Sequence, residues 1–117
     1  MKVLVTGARG LLGRAVAAEL ENRNWPAVAL GRAELDITDL AAVRQALVQH
    51  RPEVVVNCAA YTRVDQAEAE YEAALKVNAL GVKNLALACA EKDTALVHLS
   101  TDYKKYLFGL GVAPLIA

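Results

Sequence analysis

Val3-Leu4-Val5-Thr6-Gly7-Ala8-Arg9-Gly10-Leu11-Leu12-Gly13 is the stretch whose reading decides the fold. Its short apolar start predicts a buried strand. Gly7, Gly10 and Gly13, three residues apart, predict a tight turn, and the Ala- and Leu-rich sequence after them predicts a helix. In such a turn Gly7 bends the chain off the strand, Gly10 admits a pyrophosphate to the backbone, and Gly13 lets the helix pack on the sheet. The unpaired N–H groups and positive dipole end of that helix face the phosphates. A glycine triplet by itself says little; a strand before it and a helix after it supply the context of a dinucleotide site. The plain alternative is a strand-to-helix turn with no ligand.

The composition narrows the class. A chain of 117 residues suits one domain, burying roughly two-thirds of its unfolded surface. Thirteen basic residues balance thirteen acidic ones, so no bulk attraction to nucleic acid or to a membrane surface is expected. Lys104-Lys105 is too short for a nucleic-acid patch. The first residues carry one lysine and a four-residue apolar run, too little for a signal peptide, and no stretch approaches the ~20 apolar residues of a spanning helix. A cytoplasmic location is expected. Cys58 and Cys89 lie in apolar runs without ligand spacing, which predicts buried reduced thiols and no metal site.

Along the chain, Leu12, Val16 and Leu20 recur at helical spacing until about Asn22, and Trp25-Pro26 breaks the helix. Ala27 to Leu30 reads as a second short buried strand, followed by Gly31-Arg32. Thr38 or Asp39 caps a helix presenting Leu40, Val43 and Leu47, which ends at Arg51-Pro52. Val54-Val55-Val56 suits a parallel strand covered on both faces. A long helix is expected from about Ala67 to Lys92, with a break near Tyr71 as an alternative, and Ala95 to Leu99 forms a fourth strand. The alternation predicts an α/β fold: a Rossmann-type, doubly wound parallel sheet of about four strands in the order 3-2-1-4. Residues 1–103 form the domain. Residues 104–117 are an atypical apolar tail, read as an extra strand, a hook over the fourth strand's edge, or a disordered tail.

Four segments fall at the carboxyl ends of strands, where such folds bind ligands: the glycine turn, Gly31-Arg32, Asn57 to Thr62, and Ser100 to Tyr103. Gly31-Arg32 stands where an NAD-selective site has an acid. Together with Arg9, Arg32 suits a ribose 2′-phosphate, because a guanidinium offers a fixed fork to phosphate oxygens. NADP(H) is therefore the expected cofactor, with NAD(H) as the alternative and solvated surface arginines as the plain reading. Asp36 has two candidate roles, accepting a bond from the adenine amino group with Ile37 against the ring, or closing a local turn. Ala59-Ala60 are small enough for a cofactor to approach, or for a helix to pack. Asn78, among apolar helical residues, needs partners. His98 reads as a satisfied core histidine and His50 as a solvated residue at a helix end.

With Thr6 to Gly13, Leu35-Asp36-Ile37-Thr38-Asp39, Asn57 to Ala69 and Ser100-Thr101-Asp102-Tyr103 taken together, the chain resembles the N-terminal half of the dTDP-4-dehydrorhamnose reductase family, extended short-chain dehydrogenases/reductases. The resemblance covers roughly residues 1 to 103, and the run from Arg51 to Thr62 with Val64-Asp65, Ala67-Glu68 and Ser100 to Tyr103 is specific to that branch. It implies reduction of the 4-keto group of a dTDP-6-deoxy sugar by NADPH or NADH in dTDP-L-rhamnose biosynthesis. It also implies cofactor contacts from Gly10-Leu11-Leu12, Asp36-Ile37 and Ala60-Tyr61-Thr62. Thr101 is implied as the catalytic residue bonding the keto oxygen, with Asp102 at the sugar-nucleotide site.

The chain departs from the family after Tyr103, where Lys104-Lys105-Tyr106-Leu107 replaces Val-Phe-Asp-Gly. The family's Tyr-x-x-x-Lys pair is absent: four residues past Tyr61, Tyr71, Tyr103 and Tyr106 stand Asp65, Leu75, Leu107 and Leu110. The expected protein is thus a truncated, cofactor-binding fragment, inactive alone. The alternative is a non-catalytic dinucleotide-binding subunit similar to the regulatory subunit of methionine adenosyltransferase. A fourth strand without an outer neighbour predicts either a homo-oligomer or a tail strand folded onto that edge.

Overall fold

The computed structural model describes residues 1–59, 68–99 and 112–114, with side chains described over 1–59 and 75–99. Strands β1 (Val3–Thr6), β2 (Ala27–Leu30), β3 (Val54–Asn57) and β4 (Ala95–His98) alternate with helices α1 (Leu11–Asn22), α2 (Leu40–His50) and α3 (Glu68–Glu91); β5 (Val112–Pro114) follows. The strands form one parallel sheet in the order β2-β1-β3-β4-β5.

Alternation along the strands divides the core. Leu4, Val55 and Leu96 stand in one cross-strand row. They pack against Val43, Ala46 and Leu47 of α2 and Leu85, Ala88 and Cys89 of α3. Val3 and Val5 point the other way, onto Leu12, Val16 and Leu20 of α1, with Cys58 beside them. One helix therefore covers one face and two cover the other. Arg44 and Glu91 join α2 to α3 through paired bonds, Nε to Oε1 at 3.0 Å and Nη2 to Oε2 at 2.8 Å.

The helix ends follow local chemistry. Asp39 caps α2 by accepting from the Ala42 amide at 3.2 Å, satisfying one of the unpaired donors of the first turn. The α2 helix stops at Arg51, which is left-handed at φ 47° and precedes Pro52. Asn24 and Asp93, at φ 57° and 55°, close the other two helices. Asn and Asp tolerate this conformation better than most side chains. Trp25 N then bonds Leu20 O at 3.0 Å and Thr94 N bonds Cys89 O at 2.9 Å.

The doubly wound parallel sheet is as expected, and three details are corrected. The third strand lies between β1 and β4, not outside β2. The segment after β2 that an outer strand would occupy is a turn, with Leu35 and Ile37 buried in the core at 5% and 7% exposure. In consequence β2 is an edge strand, with Ala27 and Ala29 exposed and Val28 and Leu30 half-buried, rather than a buried one. There are five strands among the described residues, because β5 pairs with β4 (Leu96 beside Val112, His98 beside Pro114) and takes up its outer edge. Of the tail alternatives, the extra strand is the one found. Proline in such a place fits an edge position, where its missing donor costs little. The long helix expected after β3 is found as α3, unbroken past Tyr71. Both cysteines are free and buried, and burial pushes each thiol up to about 11.

A row of polar side chains crosses the sheet at its carboxyl end. Thr6 and Asn57 are fully buried, a placement tolerable only when their polar groups are bonded. The Thr6 hydroxyl donates to Asn57 Oδ1 at 2.6 Å, and the Ala59 amide donates to the same oxygen at 3.0 Å. A backbone N–H can only donate, so the carboxamide orientation is fixed. Its Nδ2 then donates to His98 Nδ1, 3.0 Å away. That nitrogen must carry a lone pair, so His98 is neutral with its proton on Nε2. Burial lowers its pKa from the ordinary 6.5.

Two outcomes follow for stability. Leu85→Ala, in the fully buried α3 stripe, should cost about 2–5 kcal/mol in urea unfolding. Leu87→Ala, at a position 44% exposed on the same helix, should cost less than about 1 kcal/mol. Because the unfolded state binds the His98 proton more readily than the folded state, the folded state should keep this stability above about pH 6.5 and lose it as pH falls below that value. Urea midpoints at pH 7.5 and 5.5 should differ accordingly, and the difference should shrink in His98→Gln.

Candidate functional site

The strand order reverses at β1. From there α1 carries the chain to β2 along one face, and α2 carries it back across β1 to β3 along the other. The crevice outside the carboxyl ends of β1 and β3 is the topological switch point, where open α/β sheets bind ligands.

The three glycines do different work there. Gly7 is left-handed at φ 64°, and a side chain on it would lie 2.5 Å from the Ala59 nitrogen. Backbone from β3 thus runs directly across the turn. Gly13 admits no side chain either, since a Cβ would strike Gly7 O and stand 2.7 Å from Ala8 Cα. These two residues are compelled by the protein's own packing. Gly10 is not, because a Cβ there would meet only Gly7 O, at an ordinary 3.5 Å. Gly10 is also the N-cap of α1, with no side-chain cap and no acid in the first turn. The open approach leads to the uncapped positive end of a twelve-residue helix. Leu11, 92% exposed, flanks it, with Leu12 turned into the core. This arrangement fits a dinucleotide pyrophosphate.

At the end of β2 the glycine turn is tied down by Ala8 N to Leu30 O, 3.1 Å. Arg9 lies across Gly31, where a Cβ would be 2.8 Å from its Cδ and Nε. Its guanidinium is exposed but paired: Nε and Nη2 both donate to Glu34 Oε1, at 3.2 and 2.9 Å. Arg32, the residue after Gly31, is exposed. The next turn holds Asp36, whose Oδ1 accepts from the Thr38 amide at 3.0 Å and hydroxyl at 2.7 Å. Those bonds, with the charge of Arg32 behind them, hold the Asp36 carboxyl below the usual carboxylate range. The local role of Asp36 is therefore present. Ile37 is buried at 7% exposure; its side chain fills the space above Gly81 of α3, and its carbonyl accepts from Asn84 Nδ2 at 3.0 Å.

At the end of β3, Ala59 is half-buried, its amide held by Asn57. Cys58 N bonds Thr6 O at 3.1 Å and Leu99 N bonds Asn57 O at 3.0 Å, so the three strand ends leave the sheet in step. Gly7, Gly10, Leu11, Leu12, Gly13, Arg32, Asp36 and Ala59 thus lie along the carboxyl edge, with Ile37 beneath it. Ala60, Tyr61, Thr62, Thr101 and Asp102 lie outside the described residues. Sequence reasoning passed over Glu34 and Asn84. Their partners are 25 and 47 residues away, and no local pattern announces such pairings. Asn78 is half-buried, and Asn84, six residues further along α3, is the buried amide of this helix.

Known proteins share these features. A dTDP-4-dehydrorhamnose reductase of Streptomyces griseus is 55% identical over 100 residues, 86% of this chain and 33% of the relative. The Bacillus anthracis dTDP-4-dehydrorhamnose reductase, solved in complex with NADP, aligns with a TM-score of 0.79 at 40% identity, covering 87% of this chain and 36% of that one. A UDP-glucose 4-epimerase of Thermus thermophilus, solved with NAD, aligns at 0.78 and 28% identity over 86% of this chain and 38% of its own. The chain spans about a third of the length of the curated relatives it matches. No helix among the described residues is long and apolar enough to cross a membrane. The family described as the RmlD substrate binding domain matches residues 1–105, and the chain belongs to that dTDP-4-dehydrorhamnose reductase family, corresponding to its N-terminal part.

Proposed function

We propose that these residues are the nicotinamide-dinucleotide-binding part of a dTDP-4-keto-sugar reductase, with residues 1–103 forming the cofactor unit and the 104–117 tail adding a strand to its edge. The observation that carries this reading is the open face at Gly10, in front of an uncapped helix, between two glycines that the fold itself requires. The relatives solved with NADP and with NAD support the cofactor class. When bound, such a cofactor supplies hydride to a carbonyl carbon.

The chain's own residues bind and orient. The amides after Gly10 meet the pyrophosphate, and Arg9 and Arg32 meet the ribose end, where they favour NADP(H) over NAD(H). Asp36 and Ile37 meet the adenine, their loop held by Asn84. On the resemblance, Ala60, Tyr61 and Thr62 also contact the cofactor, next to Ala59. On the resemblance, Thr101 bonds the keto oxygen of a dTDP-4-dehydro-6-deoxy sugar and Asp102 lies at the sugar nucleotide.

The family's proton-donating pair is not among these 117 residues, since none of the four tyrosines is followed by lysine four residues later. A positioned acid contributes ~10²–10⁴-fold, and orientation of the reactants up to ~7–11 kcal/mol of barrier. These 117 residues alone therefore bind without turning over.

Titration of the chain with NADPH, followed by cofactor fluorescence, should show saturable binding. Gly10→Val should weaken it by more than about tenfold while costing the fold no more than about 1 kcal/mol for the poorer N-cap, because the added side chain enters the ligand's space and not the protein's. Gly13→Val should instead destabilise the fold by about 2 kcal/mol or more, since its side chain meets backbone. Mixed with NADPH and the dTDP-4-keto sugar, the chain should give no steady oxidation at 340 nm. Turnover at a rate of about 1 s⁻¹ or faster, an ordinary enzymatic value, would refute the inactive reading.

A further inference from the structure

The end of β2 holds a charge pair that a pure phosphate site does not require. Arg9 comes from the glycine turn and Glu34 from the turn after β2, and two N–H groups of the arginine converge on one oxygen of the glutamate. Neither side is loosely placed. The stem of Arg9 rests on Gly31, the residue whose missing side chain makes room for it. The Glu34 backbone is fixed by its amide bonding Gly31 O at 3.0 Å, and by the next residue, buried Leu35, bonding the same carbonyl at 2.9 Å. Both charged ends remain accessible, the side chains being 75% and 40% exposed. The position is the one at which a doubly wound fold meets the 2′ position of an adenosine ribose.

We propose that Glu34 sets the balance between NADPH and NADH by competing with the ribose 2′-phosphate for Arg9. The inference rests on the dinucleotide reading above. A 2′-phosphate needs the same donor fork that Glu34 occupies, so binding it means opening the pair. A 2′-hydroxyl makes no such demand. Arg9 and Arg32 thus pull the site towards NADPH while Glu34 pulls it back. An exposed ion pair is weak enough for a ligand to open, so the result is a modest preference and not an exclusive one. Glu34 acts here as a positioning residue, through the arginine it holds.

The test is a double-mutant cycle read by cofactor fluorescence, with NADPH and NADH titrated separately against the full chain and its Glu34→Gln, Arg9→Gln and doubly substituted forms. Glu34→Gln should raise the NADPH-over-NADH affinity ratio about fivefold, the size of one exposed ion pair. Arg9→Gln should lower NADPH affinity about tenfold with little change for NADH. In the Arg9→Gln background, Glu34→Gln should change the ratio less than twofold. A ratio unmoved by Glu34→Gln, or moved equally with and without Arg9, would overturn this inference while leaving the dinucleotide site intact. A chain that binds neither dinucleotide would overturn both. Circular dichroism of the variants should match that of the parent, since both side chains are exposed.

Discussion

Everything at the functional edge depends on how closely β3's outgoing backbone crosses the glycine turn. Gly7 has no room for a side chain because Cys58 and Ala59 lie against it. That approach is held from below by the Thr6 hydroxyl and the Ala59 amide, both bonded to Asn57 Oδ1. The same carboxamide reaches His98 on β4. One buried side chain therefore sets the register of β1 against β3, the exit of the β3 loop and the tautomer of a histidine. Removing either partner would strand a buried polar group, which costs more than the bond itself contributes.

From that crossing the division of labour follows. The face carrying α2 and α3 holds the larger buried cluster, from Leu4 and Val55 through Leu47 and Leu85. The α1 face is lighter, with Val3, Val5, Leu20 and Cys58. Stability comes chiefly from the first face. The second is organised around keeping a helix end uncapped and reachable, and Gly13 serves this by letting α1 come close to the turn. An uncapped helix end leaves donors unsatisfied by the protein, a cost that makes sense when a ligand can supply the acceptors.

Much of this was legible in the sequence. The first, third and fourth strands, all three helices and the carboxyl-edge placement of the glycine turn follow from short apolar runs and glycine or proline punctuation. What was not legible has one physical cause. Strand order, the edge status of β2 and the pairing of Val112–Pro114 with β4 depend on contacts between distant segments. Ala27 to Leu30 has the composition of a buried strand, yet Leu35 and Ile37 fold inward as a turn and leave it on the rim. Asn84 was silent for the same reason: a polar residue in a helix says nothing of the carbonyl it will meet until Ile37 is placed against Gly81.

The local role of Asp36 leaves room for the functional one proposed for it. The amide and hydroxyl of Thr38 both converge on Oδ1, which closes the turn. A carboxylate has more acceptor capacity than two donors exhaust. Closing the turn and accepting from an adenine amine are therefore compatible, and the first prepares the second by fixing where the carboxylate stands. The Thr38 bonds, with the charge of Arg32 behind them, hold its carboxyl below the usual carboxylate range. With Ile37 anchored on α3 by Asn84, the loop's geometry is set by the sheet and helices before any ligand arrives. Less ordering then remains to be done on binding, which is where preorganised sites gain affinity.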